Sequence, residues 1–424
     1  MRDLDEEAVA ILRANDRGGF TVPTARLYPY QWNWDSAFAA LGFATFDLDR
    51  SWREIEMLFE GQWPNGMVPH IIFRRDDPDY FPGPSVWGTD NDPPTSGHSQ
   101  PPVAATIIRA LFEKDASEGG AARARALYPK LLAWHRWFHT ARDPAGRGIV
   151  AVIHPWESGR DNSPDWDEAM DRVEPARAKA YTRRDTSHVD ASMRPTQSEY
   201  DRYMRIVEFG AEYGWGEDCL GRNGPLFVAD PGITFILLRA DRDLLAMAQA
   251  LGIDEGQAET SGWIARAEEG VGLLWNDASG GYTARDLKTE KLSDGLSSVS
   301  FLAWYAGLGG AWLEDTLAAS LERILGASAF AVPSFDPEHR KFDSLRYWRG
   351  PVWAVINYMV GRGLSEAGRE ALARRVHDDT RRLIEMSGFY EYFDPLSGAG
   401  AGGGKFTWTA AIWLAWASPS ASRG

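Results

Sequence analysis

Asp230-Pro231-Gly-Ile-Thr-Phe-Ile-Leu-Leu-Arg-Ala-Asp-Arg-Asp-Leu-Leu-Ala-Met-Ala-Gln-Ala-Leu251-Gly252 carries the start, the body and the stop of one helix. Asp230 is placed to cap it, Pro231 suits the first helical position, and Gly252 ends it. The body is apolar over more than one face, as in a helix buried on two sides. Working outward, helical periodicity also covers roughly 3–15, 35–46, 48–61, 101–115, 120–142, 196–213, 255–275, 297–308, 310–326, 350–363, 366–386 and 407–417. Strand alternation is scarce. Its best case, Gly148-Ile-Val-Ala-Val-Ile-His154, reads as extended or irregular. About a dozen helices without strand–helix alternation predict an all-α fold. Helical hairpins closed into a ring, an α/α barrel, match the count. An open solenoid fits less well, because no 30–45-residue repeat is visible. No linker-like tract divides residues 1–424, so one domain is expected. The long irregular stretches 62–100, 144–195 and 387–406 become loops around one mouth of the ring.

The formal charge of −15 over 424 residues argues against nucleic acid and anionic membrane surfaces as partners. The only cysteine, Cys219, excludes an intramolecular disulfide and fits a reducing cytoplasm. The acidic first residues lack the apolar stretch of a signal peptide, and no apolar run approaches the ~20 residues of a membrane span. Homo-oligomerisation is left open. The 19 tryptophans are more than a core of this size needs, so some are expected to face a ligand.

Acids and aromatics meet in Trp156-Glu-Ser-Gly-Arg-Asp161-Asn-Ser-Pro-Asp-Trp-Asp167. Aromatic faces stack on the C–H face of a sugar, and a carboxylic acid can protonate a glycosidic oxygen. Asp161 is the candidate donor, with Glu157, Asp165 and Asp167 as support or caps; the alternative is a turn with solvated acids. Hydrolysis needs a second carboxylate. Glu391, in Gly388-Phe-Tyr390-Glu391-Tyr392-Phe-Asp394-Pro395, sits between two tyrosines whose hydroxyls could orient it; a buried, hydrogen-bonded glutamate is the alternative. In Leu27-Tyr28-Pro-Tyr30-Gln31-Trp32-Asn33-Trp34-Asp35, alternation puts both tryptophan rings on one side. Asp35 is either a helix cap or an acceptor for sugar hydroxyls. Gln62-Trp63-Pro-Asn65-Gly66-Met-Val-Pro-His70 and the Tyr80 loop are rigid and aromatic, and Gln100 opens a helix. Arg346-Tyr347-Trp348-Arg349-Gly350-Pro351 offers Tyr347 and Trp348 to a ligand and Arg349 to a buried carboxylate. Thr196 and Glu199 form a capping box, and Arg194 just before it could clamp an anion in bidentate fashion. His188 with Asp190, and His377 with Asp378 and Asp379, lack metal-site spacing, so neither metal nor cofactor is expected. Neither a nucleophile elbow nor a phosphate-binding loop occurs.

Three of these motifs, in this order, resemble glycoside hydrolase family 63: Trp-Glu-Ser-Gly-x-Asp-Asn-Ser-Pro, Tyr-Trp-Arg-Gly-Pro-Val-Trp and Tyr-Glu-Tyr-Phe-Asp-Pro. Asn15-Asp-Arg-Gly-Gly19 together with Leu-Tyr-Pro-x-Gln-Trp-x-Trp-Asp is similar to its bacterial mannosylglycerate hydrolases, with glucosylglycerate hydrolases close by. The resemblance spans nearly the whole chain. It implies an (α/α)6 barrel, an inverting mechanism and no metal, with Asp161 as general acid and Glu391 as general base. It places Trp32, Trp34, Asp35, Tyr347 and Trp348 around the sugar and Arg194 and Tyr200 at the glycerate. Tyr28, Tyr80 and Gln100 carry over as further contacts. The run Gly404-Lys405-Phe406 lacks the paired glutamines of the glucosylglycerate branch, which favours mannosylglycerate. Asp161 must then be protonated near neutral pH, which burial beside Trp156 and neighbouring carboxylates would favour. Residues 183–200 would act as a lid. An exo-α-glucosidase or trehalase-like hydrolase of a neutral disaccharide is the nearest alternative. A non-catalytic sugar-binding protein is the alternative of another class.

Overall fold

The computed structural model describes residues 3–25, 27–175, 181–183, 186 and 189–421. The chain is mostly helical, and the helix expected after Asp230 runs Pro231–Leu251. Asp230 accepts from the backbone N–H groups of Gly232 and Ile233, and Gly252 closes the helix in the left-handed conformation. Most of its length is buried, because other helices cover it on several sides.

Six helices pack in a circular order. Asn33–Phe43 packs on Ala104–Lys114, and that helix on Pro231–Leu251. Pro231–Leu251 packs on the short turn Leu302–Tyr305, and that turn on Ala354–Glu366. Ala354–Glu366 packs on Thr407–Ile412, which returns to Asn33–Phe43. Most members carry a partner: Leu48–Leu58, Glu118–Trp137, Gln257–Gly270, Glu370–Ser387 and Leu4–Asn15. The sequence explains the division. Asn33–Phe43 buries every residue except Leu41. Glu370–Ser387 buries one stripe, with Ala373, Val376, Leu383 and Ile384, and exposes charged side chains on the rest.

Some expected boundaries move. The helix expected at 35–46 begins at Asn33, so Asp35 lies in its first turn and is not its cap. The 297–308 region is a 3-10 turn, Ser298–Phe301, followed by one α-turn. Short antiparallel ladders appear, one of them at Ala151–Val152 within the segment 148–154 read as extended or irregular. Ala151–Val152, Val228–Ala229, Arg285–Asp286 and Lys291–Leu292 form a four-stranded sheet, and Gln31–Trp32 pairs with Ile71–Ile72. The 387–406 region is a hairpin of Tyr390–Phe393 and Gly400–Gly404. Two- to five-residue strands are too short to leave a period-2 pattern. Among the described residues no helix is long and apolar enough to cross a membrane.

Candidate active site

A cavity of about 810 Å³, counted with its mouth, gathers residues from distant segments of the chain. Tyr28, Trp32, Trp34, Asp35, Tyr80, Gln100, Asp161, Arg194, Tyr200, Tyr347 and Glu391 all line it. Of the catalytic and substrate-contacting candidates named in the sequence, only Trp348 does not. It lies behind the wall, stacked on Trp353 at 3.8 Å and near the Trp34 ring at 6.2 Å, so any help it gives comes through the wall.

Glu391 is almost fully buried, and its hydrogen bonds can be counted. Oε1 accepts from the Tyr28 hydroxyl at 2.8 Å. Oε2 accepts from Arg194 Nη2 and from the backbone N–H of Gly403, both at 2.9 Å. Among the described residues Oε1 has this one donor, which leaves a lone pair for a water. The orienting phenol is Tyr28, not Tyr390 or Tyr392. Strand alternation turns both neighbours of Glu391 to the other face: Tyr390 is exposed, and the Tyr392 hydroxyl is buried without a partner among the described residues. The glycine-rich strand passes close over the carboxylate. A Cβ at Gly402, where φ is +73°, would lie 2.4 Å from Glu391 Oε2. Trp408 Nε1 donates to the Glu391 carbonyl at 3.1 Å and fixes the backbone.

Arg194 is equally buried and has a second task beside the one expected of it. Nη1 donates to the Tyr28 hydroxyl at 3.0 Å, and the guanidinium lies over the Tyr347 ring at 4.4 Å. Its Nε–H is buried without a partner among the described residues. Burial and the nearby negative charges hold the Tyr28 and Tyr347 phenols well above their ordinary range, so both stay protonated. The Tyr28 proton goes to Glu391, so the Tyr347 hydroxyl, 3.3 Å away, donates to Tyr28.

The Asp161 loop is fastened from below. Gly159, at φ +70°, brings its backbone against Trp34: a Cβ there would be 2.8 Å from the indole. The Asn162 N–H donates to the Tyr203 hydroxyl, and the Asn162 amide to Glu199. The other acids of the motif are support, as expected. Glu157 is fully buried and pairs with Arg142. Arg160 bridges Asp165 at 2.8 Å and the helix cap Asp230 at 2.7 Å. Arg349 holds a carboxylate as expected, but its partner Asp167 is half-buried rather than buried. Thr196 and Glu199 form the expected capping box. Four positions of the 183–200 segment, Arg184, Asp185, Ser187 and His188, lie outside the described residues. His188, half of one metal pair considered in the sequence, is among them.

Asp35 is buried, with its carboxyl held well above the usual carboxylate range by desolvation and then by the Glu391 charge. A raised folded-state value means that Asp35 contributes stability fully below the ordinary value near 3.8, and that this is lost as pH rises through the higher folded value. Asp35→Asn cannot ionise. Its denaturation midpoint is therefore expected to exceed that of the wild type by more at pH 8 than at pH 4, with activity reduced. A difference that does not change with pH would remove this reading.

His70, Ile71, Pro82, Trp87, Phe406 and Trp408 line the cavity as well, none of them expected there from the sequence. His70 and Trp408 lay in stretches noted only for their aromatics; Trp87 carried no local signal.

The family model for the mannosylglycerate hydrolase MGH1-like glycoside hydrolase domain matches residues 28–409, which contain all of these site residues. The chain belongs to this glycoside hydrolase family. Mannosylglycerate hydrolase MGH1 of Selaginella moellendorffii is 46% identical over 408 residues, covering 96% of this chain and 84% of that one. The crystal structure of the GH63 mannosylglycerate hydrolase from Thermus thermophilus in complex with Tris and D-glycerate superposes with a TM-score of 0.94. It is 45% identical, and the match covers 97% of this chain and 99% of that one. The glucosylglycerate hydrolase of Mycolicibacterium hassiacum is 32% identical, over 97% of each chain. The family 63 resemblance of the sequence motifs is thus borne out.

Proposed function

We propose that this protein hydrolyses 2-O-α-D-mannosyl-D-glycerate, and also its glucosyl counterpart, to the free hexose and D-glycerate with inversion. The observation that carries the proposal is the convergence of Asp161, Glu391 and Arg194 from three distant segments on one aromatic-walled cavity. Asp161 protonates the leaving glycerate oxygen as general acid. Glu391, held by Tyr28, Arg194 and Gly403, takes a proton from the attacking water through the open side of Oε1. An inverting pair needs a separation of about 6.5–9.5 Å, so that a water fits beneath the sugar. Trp32, Trp34, Asp35, Tyr80, Gln100 and Tyr347 hold the hexose. Arg194 is assigned to the glycerate carboxylate by its charge, with Tyr200 lining the same cavity. Higher identity to the mannosylglycerate hydrolases than to the glucosylglycerate hydrolase supports mannose as the preferred sugar.

We further read the circular order of the six helices as an (α/α)6 barrel forming one catalytic domain. Residues 183–200 close its mouth as a lid, and the protein works in the reducing cytoplasm without metal or cofactor.

The test is incubation with mannosylglycerate, glucosylglycerate and neutral mannosylglycerol, followed by proton NMR. The expected first product from either charged substrate is the β-hexose. An α-hexose would overturn inversion, no release would overturn the function, and equal rates on mannosylglycerol would overturn the glycerate assignment.

A further inference from the structure

Three histidines stack beside the cavity. The His70 and His98 rings lie 4.7 Å apart, and those of His98 and His154 5.1 Å apart, each pair nearly parallel. His70 is also parallel to Trp156 and edge-on to Trp32. Burial pushes all three imidazoles below their ordinary value, His98 to about 4. All are neutral near pH 7, and a neutral imidazole has one N–H and one bare nitrogen.

The contacts fix two of the tautomers. His98 Nδ1 is 2.9 Å from the Ser99 carbonyl, so it is the donor and Nε2 is bare. His154 Nδ1 accepts from the Trp156 N–H at 2.9 Å, so its Nε2–H donates to the Tyr203 carbonyl. His70 differs, because its Nδ1 is buried without a partner among the described residues. A buried N–H without an acceptor is rarer than a bare acceptor, which puts the proton on Nε2. Nε2 is not among the buried unpartnered atoms, and His70 lines the cavity with 6% of its surface exposed. The Nε2–H thus has no acceptor among the described residues, on a ring that lines the cavity.

The backbone fixes this donor as firmly as stacking does. The His70 N–H donates to the His98 carbonyl, and the His70 carbonyl accepts from Asn33 N–H. The next residue, Ile71, pairs with Trp32. One ladder therefore sets His70 and the Trp32–Asp35 segment in register. The cavity's carboxylates can only accept while ionised, and two nitrogens of Arg194 are committed to Tyr28 and Glu391. A sugar hydroxyl donating to Asp35 still needs a donor for its own lone pairs.

We propose that His70 positions the sugar: its Nε2–H donates to one ring hydroxyl of the bound hexose, complementing the acceptor Asp35. The proposal rests on the hexosylglycerate reading above. His70→Ala, His70→Asn and His70→Gln are compared with the wild type on mannosylglycerate and its 2-, 3-, 4- and 6-deoxymannosyl analogues. A glutamine amide reaches the Nε2 position, whereas an asparagine amide reaches only Nδ1. The alanine and asparagine variants are expected to lose about 10- to 100-fold in kcat/KM, and glutamine to recover most of it. The loss should vanish on the one analogue that lacks the partner hydroxyl, a comparison made within each variant and independent of its folded fraction. An equal loss on all five substrates, or asparagine matching glutamine, would reduce His70 to packing and overturn the proposal. A wild type inactive on mannosylglycerate would instead sink the functional reading and this inference with it. That outcome is told apart because the unmodified protein fails.

Discussion

Alanine at Asp161 or at Glu391 is expected to lower kcat on mannosylglycerate by on the order of 10³- to 10⁴-fold while the protein stays folded. The two losses have different causes, and a substrate separates them. α-Mannosyl fluoride needs no proton on its leaving group. Asp161→Ala should therefore regain most of its activity on the fluoride, and Glu391→Ala should not. Asp161 is only half-buried, and its loop is fastened by its neighbours Arg160 and Asn162. Glu391→Ala leaves the buried Arg194 without its ion partner. Glu391→Gln, which keeps the side-chain shape and an acceptor oxygen for Arg194 and Gly403, is the folding control and should be as inactive as the alanine variant. Near-wild-type turnover in any of these variants would end the assignment of that residue. A fluoride result with the two roles exchanged would reverse them.

Arg194→Ala is expected to damage two steps at once. If Arg194 served only the glycerate, the variant would show a raised KM for mannosylglycerate and no change on neutral mannosylglycerol. In the structure its Nη2 is committed to Glu391 and its Nη1 to Tyr28, and only Nε is without a partner among the described residues. Truncating one member of a buried ion pair costs about 3–5 kcal/mol, because the other charge is left uncompensated. A fall in kcat on mannosylglycerol as well as a raised KM on mannosylglycerate is therefore predicted. Steady-state kinetics on the two substrates decide it. A KM effect confined to the charged substrate would remove Arg194 from the support of the base.

Where a feature is local, the sequence was enough. The Asp230 cap, Pro231 and the Gly252 stop are adjacent residues acting on one backbone, and the helix ran between them. The Thr196–Glu199 capping box was legible for the same reason. So was the choice of acids: Glu157, Asp165 and Asp167 could be set aside as support, and each is paired with an arginine. Short ladders such as Tyr390–Phe393 with Gly400–Gly404 left no readable pattern, because pairing across a turn, not periodicity, defines them.

The sequence by itself determined the helical class, the aromatic and acidic composition of the site, and the two carboxylates worth testing. Only the tertiary structure decided which groups hold those carboxylates. The phenol on Glu391 comes from Tyr28, 363 positions away, because alternation along the strand turns Tyr390 and Tyr392 aside. Trp348 went behind the wall and His70 onto it, although the motif context favoured the reverse. The physical reason is common to all three. Side-chain direction is set by the element a residue joins and by what packs behind it, and for short, non-local elements neither is encoded near the residue itself.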